Sequence, residues 1–159
     1  MSIVLAMLAG CGEREYEPYS IAEGVDICNT CNMIVPNDLH ATQIILKDGH
    51  YFMFDDIGCH YNWLSSYDNE RIAVQFVRDF HTEEWIVIEE ATFVYDVSFR
   101  TPMSYGILSF QSLDEAKDFI GENGKGTIFS YDEFHEHHWK AQRQVERYEN
   151  LVGTKWGGK

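Results

Sequence analysis

The densest run of soft donor atoms in the chain is Cys28-Asn-Thr-Cys31-Asn-Met33. In extended backbone, side chains at i and i+2 project to one side, so this spacing predicts that Cys31 and Met33 close on one ion with Cys28 nearby. A thiolate paired with a thioether selects copper(I). Hard cations want oxygen, zinc and iron sites seldom recruit a thioether, and Met binds without losing a proton. Met103, in Thr101-Pro102-Met103-Ser104, lies in a loop that can swing a second thioether towards the first half of the chain. The expected metal set is Cys31, Met33 and Met103, with Cys28 as a further sulfur.

Other chemistry competes for the same residues. Cys28 and Cys31 form a C-x-x-C, which in an oxidising compartment serves as a disulfide or an exchangeable redox pair. A thiol-disulfide protein, or a metal-free envelope scaffold that docks to a transporter, are therefore the alternative readings. No second C-x-x-C occurs and His40 lacks finger spacing, which argues against structural zinc. Met33 alone would pass for a core gap-filler, and Cys59, early in a predicted helix, reads as a small buried hydrophobe. His135-Glu-His137-His138 puts His135 and His138 at i and i+3, a spacing that shares a metal but also suits a polar helix face. The acidic pairs Asp55-Asp56 and Glu89-Glu90 have no companion nucleophile or phosphate loop, so catalysis is not expected.

These residues need a scaffold, and the chain has the means to build one. It has 159 residues, 45% of them hydrophobic, enough for one folded unit with a real core. Its formal charge of -14 repels phosphate backbones and excludes nucleic acid as a partner. Acidity also disfavours adsorption to anionic lipid, so membrane attachment would have to be covalent or through a hydrophobic segment. Residues 1–9 are apolar but far too short to span a bilayer, and Leu8-Ala-Gly-Cys11 resembles the bacterial lipobox. The expectation is a signal peptide over 1–10, a lipidated Cys11, an acidic tether over 11–26, and a metal-binding domain over 27–159. Such a protein would sit at the cell membrane on the extracytoplasmic side.

Within the domain, residues 41–47 and 51–54 alternate as strands around Asp48-Gly49, a hairpin signal. Asp55 or Asp56 can cap a helix bearing Ile57, Tyr61 and Leu64, and residues 72–77 return as a strand. Residues 85–88, 92–97 and 106–110 are again strand-like. Ser112 to Glu115 is a capping box for a second helix, 127–129 a short strand, and Ser130 to Glu133 a cap for a last helix with Phe134, Ala141, Val145 and Tyr148 on one face. Setting Phe54-Asp-Asp-Ile57 beside Phe110-Gln-Ser-Leu113 aligns strand, cap and helix. The fold class is α+β, a tandem pair of ββαβ units with an added C-terminal helix.

Taken in order, the motifs resemble the NosL family, lipoproteins that act as copper chaperones in nitrous oxide reductase maturation. The match runs through Cys31-Asn-Met33, where the family has Cys-Gly-Met, then Ala41-Thr-Gln-Ile44, Phe54-Asp-Asp56, Trp85-Ile86, Ala91-Thr-Phe-Val94, and Met103-Ser104, where the family has Met-Gly. The resemblance implies copper(I) held between two ββαβ units, with Cys31, Met33 and Met103 at the matching ligand positions. It implies a carrier and not an enzyme, with a copper-receiving enzyme such as nitrous oxide reductase and an ABC transporter complex as partners. Three positions depart from the pattern: Cys28 is an additional thiol, and Asn32 and Ser104 replace glycines.

Overall fold

The computed structural model describes residues 15–136. Strand β1 (Thr42–Leu46) turns into β2 (Tyr51–Phe54) through Asp48-Gly49, with Gly49 at φ +91, a backbone region that glycine enters without a Cβ clash. Helix α1 (Ile57–Leu64) follows, and β3 (Ile72–Arg78) returns along the free side of β1. After β4 (Trp85–Val87) the pattern recurs as β5 (Thr92–Tyr95), β6 (Ile107–Phe110), α2 (Leu113–Asn123) and β7 (Thr127–Phe129), with α3 (Tyr131–Glu136) behind it. The sheets run β2-β1-β3-β4 and β6-β5-β7. Each unit thus places its first strand between its second and third, and all pairings are antiparallel. The tandem ββαβ arrangement is the fold, and the capping signals mark its corners. Asp56 caps α1 by accepting from Gly58 N, and Ser112 caps α2 by accepting from Glu115 N.

One strand lies outside the ββαβ repeat. Residues 85–88, expected as a strand ahead of the second helix, form β4, which pairs with β3 and widens the first sheet. The reason is the turn between them. Asp79 N donates to Glu84 O at 2.8 Å, while the Asp79 carboxylate gathers the N–H groups of His81 and Thr82, folding the chain back too tightly to leave the sheet.

Three packed layers follow. Ile44, Met53, Phe54, Cys59 and Leu64 fill the space between the first sheet and α1, and Val94, Leu108, Phe110, Ala116 and Phe119 do the same for the second sheet and α2. Between the units lies a third cluster of Ile57, Val77, Ile88, Phe93, Tyr105, Ile107 and Phe134. Helix α1 is also pinned to its sheet by a buried polar string: the His60 ring lies 3.0 Å from Thr42 Oγ1 and 2.8 Å from Gln75 Oε1. Burial pushes His60 down to about 4, so it is neutral at physiological pH.

The chain before β1 is better anchored than a free tether. Tyr19 N donates to Gln43 Oε1 at 2.9 Å, its ring stacks on Tyr51 at 4.1 Å, and Ile21 packs on the first core. Buried Gln43, with its side-chain amide facing out of β1, gives this segment a backbone partner. Cys11 lies outside the described residues.

Candidate metal centre

The segment Asp26 to Val35 folds back on itself. Val35 N donates to Asp26 O, Ile27 bridges Ile34, and Cys28 N donates to Met33 O at 2.8 Å, leaving Cys28 to Met33 as the loop at the tip. Three bonds clamp this loop to the first unit: Asn29 N to Met53 O, Met53 N to Asn29 Oδ1, and Thr30 Oγ1 to Cys59 O. The loop therefore sits over the end of β2 and the first turn of α1.

That placement gathers four donors. Cys28, Cys31, Cys59 and Asp55 each offer one ligand atom, all within 4.8 Å of one another. Asp55 terminates β2 one residue before the Asp56 cap, and Cys59 lies four residues on, in the first turn of α1. Cys28, Cys59 and Asp55 are buried, and Cys31 is the one that reaches the surface. The three cysteines are free thiols, not a disulfide. Cys31 Sγ donates to the Asp55 carboxylate at 3.3 and 3.4 Å, and Cys31 N donates to Cys28 Sγ at 3.5 Å.

The electrostatics distinguish the thiols. Cys28 is held down to about 6, chiefly because the Cys59 thiol donates to it, assisted by the backbone N–H groups of Cys31, Asp55 and Thr30, which outweigh its burial. Burial pushes the Cys31 thiol up to about 12, and the neighbouring Cys28 and Asp55 add to the effect. Cys59 is raised as the donor in the same hydrogen bond. Cys28 is thus the most readily deprotonated thiol of the cluster, cradled by N–H and S–H donors, with the remaining thiols as its partners. Such a donor set fits a soft d¹⁰ cation.

The expected ligands arrive by routes other than those the sequence suggested. Asn32 has φ +61, so Cys31 and Met33 flank a left-handed turn and not an extended stretch. Met33 is 52% exposed beside Cys31 on the loop tip. Met103 comes from the second unit, where it packs against both the first core and the core between the units. It is held there by Asp56, whose Oδ2 accepts Met103 N at 2.8 Å and Thr101 Oγ1 at 2.7 Å, while Oδ1 caps α1. Thr101 Oγ1 in turn accepts from Tyr105 N and Gly106 N, closing the loop. Burial raises Asp56 above the ordinary carboxylate range in spite of these donors.

Cys59 and Asp55 were missed from sequence. Cys59 is buried as expected, but among thiols and a carboxylate and not merely as a hydrophobe. Asp55 stands just before the helix cap and Cys59 in the first turn, so no helical periodicity links them, and the contact depends on the Cys28–Met33 loop docking over this corner. Of the histidine run, His135 stacks on Tyr131 and is not part of the cluster, and His137 and His138 lie outside the described residues.

The repeated units and the thiol cluster define an α+β protein with a buried group of donors that could hold a metal ion. A family model described as NosL matches residues 18–139, and the chain belongs to the NosL family. Its fold is also that of a crystal structure described as the copper chaperone NosL from Shewanella denitrificans, with a TM-score of 0.65, 20% sequence identity, and coverage of 76% of this chain and 96% of that one. No curated protein sequence matches. The departures from the family pattern now have a physical basis. Asn32 and Ser104, which stand where the family has glycine, both lie at φ +61, and Asn in particular tolerates that conformation.

Proposed function

We propose that the chain is a copper(I) metallochaperone, a carrier and not an enzyme, that receives the ion at Cys31, Met33 and Met103 and passes it on by ligand exchange. The observation that carries this reading is the position of Cys31. It is the one surface-reaching member of a buried thiol cluster, on a loop tip that also exposes Met33, and both it and Met103 pack against the first core. Shuttling needs an open coordination position, and a closed cage would not give one. Family membership supports the same reading, as does the fold shared with a protein described as a copper chaperone.

The recipient is nitrous oxide reductase or a related copper protein, with an ABC transporter complex as a further partner. Attachment is through a lipid on Cys11, which places the domain at the outer face of the cell membrane. Copper(I) titration of the reduced protein against a competing chelator tests the central claim. Cys31→Ser is expected to abolish competitive binding and Met33→Leu to weaken it by roughly tenfold. Full affinity in the Cys31 variant sinks the reading. Lipidation is tested separately, by the mass of the protein extracted from membranes and its release in Cys11→Ala.

A further inference from the structure

Asp55 is a buried carboxyl group with a weak hydrogen-bond partner. Its carboxylate is 1% exposed, and among the described residues its hydrogen-bond partner is the Cys31 thiol, a weak donor. No ion pair of the described residues reaches it. A buried carboxylate without a cation or strong donors is costly, and its neighbour Asp56 shows the usual remedy, three firm donors. Asp55 instead faces three sulfurs. Cys28 and Cys59 lie behind Cys31 on the buried side, whereas Met33 lies on the exposed side. A metal–sulfur bond of about 2.3 Å separates the sulfurs of a trigonal site by about 4 Å, which the 4.8 Å envelope of the cluster accommodates.

On the copper(I) reading above, we propose that Cys28, Cys31 and Cys59, backed by Asp55, form an inner position for the ion that shares Cys31 with the outer Cys31, Met33 and Met103 position. The ion enters at the thioethers and moves inward by ligand exchange, the bonds to Met33 and Met103 breaking as bonds to Cys28 and Cys59 form. Copper stays copper(I) throughout, and each thiol that binds releases its proton to water. Because Cys31 belongs to both positions, they are filled alternately, and one ion is held per chain. Asp55 is the acceptor that holds the Cys31 thiol in place before the ion arrives. Cys28, the additional thiol among the departures from the family pattern, thereby acts as a ligand.

The test uses the full chain, reduced and without oxygen, with copper(I) as probe against a chelator and X-ray absorption as the count of sulfur neighbours. Expected are one ion per chain and three sulfurs at thiolate distance. Met33→Leu/Met103→Leu should retain that shell with affinity lowered about tenfold, and Cys28→Ser/Cys59→Ser should lower affinity about a hundredfold. Affinity unchanged in the latter variant, two ions per chain, or a sulfur shell lost in the methionine variant overturns the inner position while leaving the carrier reading intact. No copper(I) binding by the parent overturns both. Should the cysteine variant fail to fold by circular dichroism, cadmium(II) added to the parent decides the matter. A charge-transfer band scaled for three thiolates supports the inner position, and one scaled for a single thiolate overturns it.

Discussion

The corner at which a strand hands over to a helix occurs in both units, with different contents. In the first, Phe54-Asp55-Asp56-Ile57 leads to Cys59; in the second, Phe110-Gln111-Ser112-Leu113 leads to Glu115. Both phenylalanines are fully buried, and both caps have extended backbone angles. Yet Ser112 accepts one backbone N–H, while Asp56 binds its own helix and also a loop from the other unit. The second unit contributes to the centre not through its corner but through the loop before β6. A duplicated scaffold therefore makes its candidate site asymmetrically: one copy supplies the buried thiols and carboxylate, and the other supplies a flank held against that unit.

The comparison breaks most visibly at the caps. Asp56→Ala leaves Gly58 N, Thr101 Oγ1 and Met103 N without their acceptor and is expected to cost about 3 kcal/mol or more, whereas Ser112→Ala should cost about 1 kcal/mol. Urea unfolding of the two variants measures the gap, and equal losses would mean that Asp56 is only a cap. Glycines within the two helices differ next. A Cβ on Gly58 would lie 2.0 Å from the Tyr105 ring, but one on Gly121 meets nothing within 4 Å. Gly58→Ala should thus destabilise by about 2 kcal/mol, and Gly121→Ala should stabilise by up to about 1 kcal/mol. Thermal midpoints moving in the same direction would refute the assignment of Tyr105 to that slot.

The smallest effect concerns the two inter-unit carboxylates. Asp56 is raised by burial. Burial also pushes Asp79 upward, but the donors on Thr82, Gln111 and His81 outweigh it and hold Asp79 low. A lowered folded pKa contributes stability that is fully present above the unfolded carboxylate value, about 3.9, and is lost as pH falls through the folded one. The stability difference between the parent and Asp79→Asn should accordingly be largest near pH 7 and shrink below pH ~4. A difference that does not change with pH would show that Asp79 acts by shape alone.

What could be read in the sequence was what is local. Asp48-Gly49, Asp56 and the two capping boxes mark turns and helix starts by chemistry contained within a few residues, and the structure has an element boundary at each. Three of the expected ligands, Cys28, Cys31 and Met33, come from one run for the same reason, and only Met103 was drawn from elsewhere. What escaped notice depends on contacts between distant segments. Thr30 meets Cys59 across 29 residues, and Asp56 meets Met103 across 47. The partner of β4 was likewise decided by the Asp79 turn, whose carboxylate also accepts Gln111 N from the second unit.

The fit of Tyr105 against Gly58 has a mechanical corollary. An aromatic ring seated where a helix has no side chain acts as a wedge, and the Asp56 and Asp79 tethers hold the units together on either side of it. Units joined in this way resist opening at their boundary. On the carrier reading, cargo held in the thiol cluster leaves over the Cys28–Met33 loop tip, where Cys31 reaches the surface, so its departure should be set by an incoming acceptor and its rate should rise in proportion to acceptor concentration.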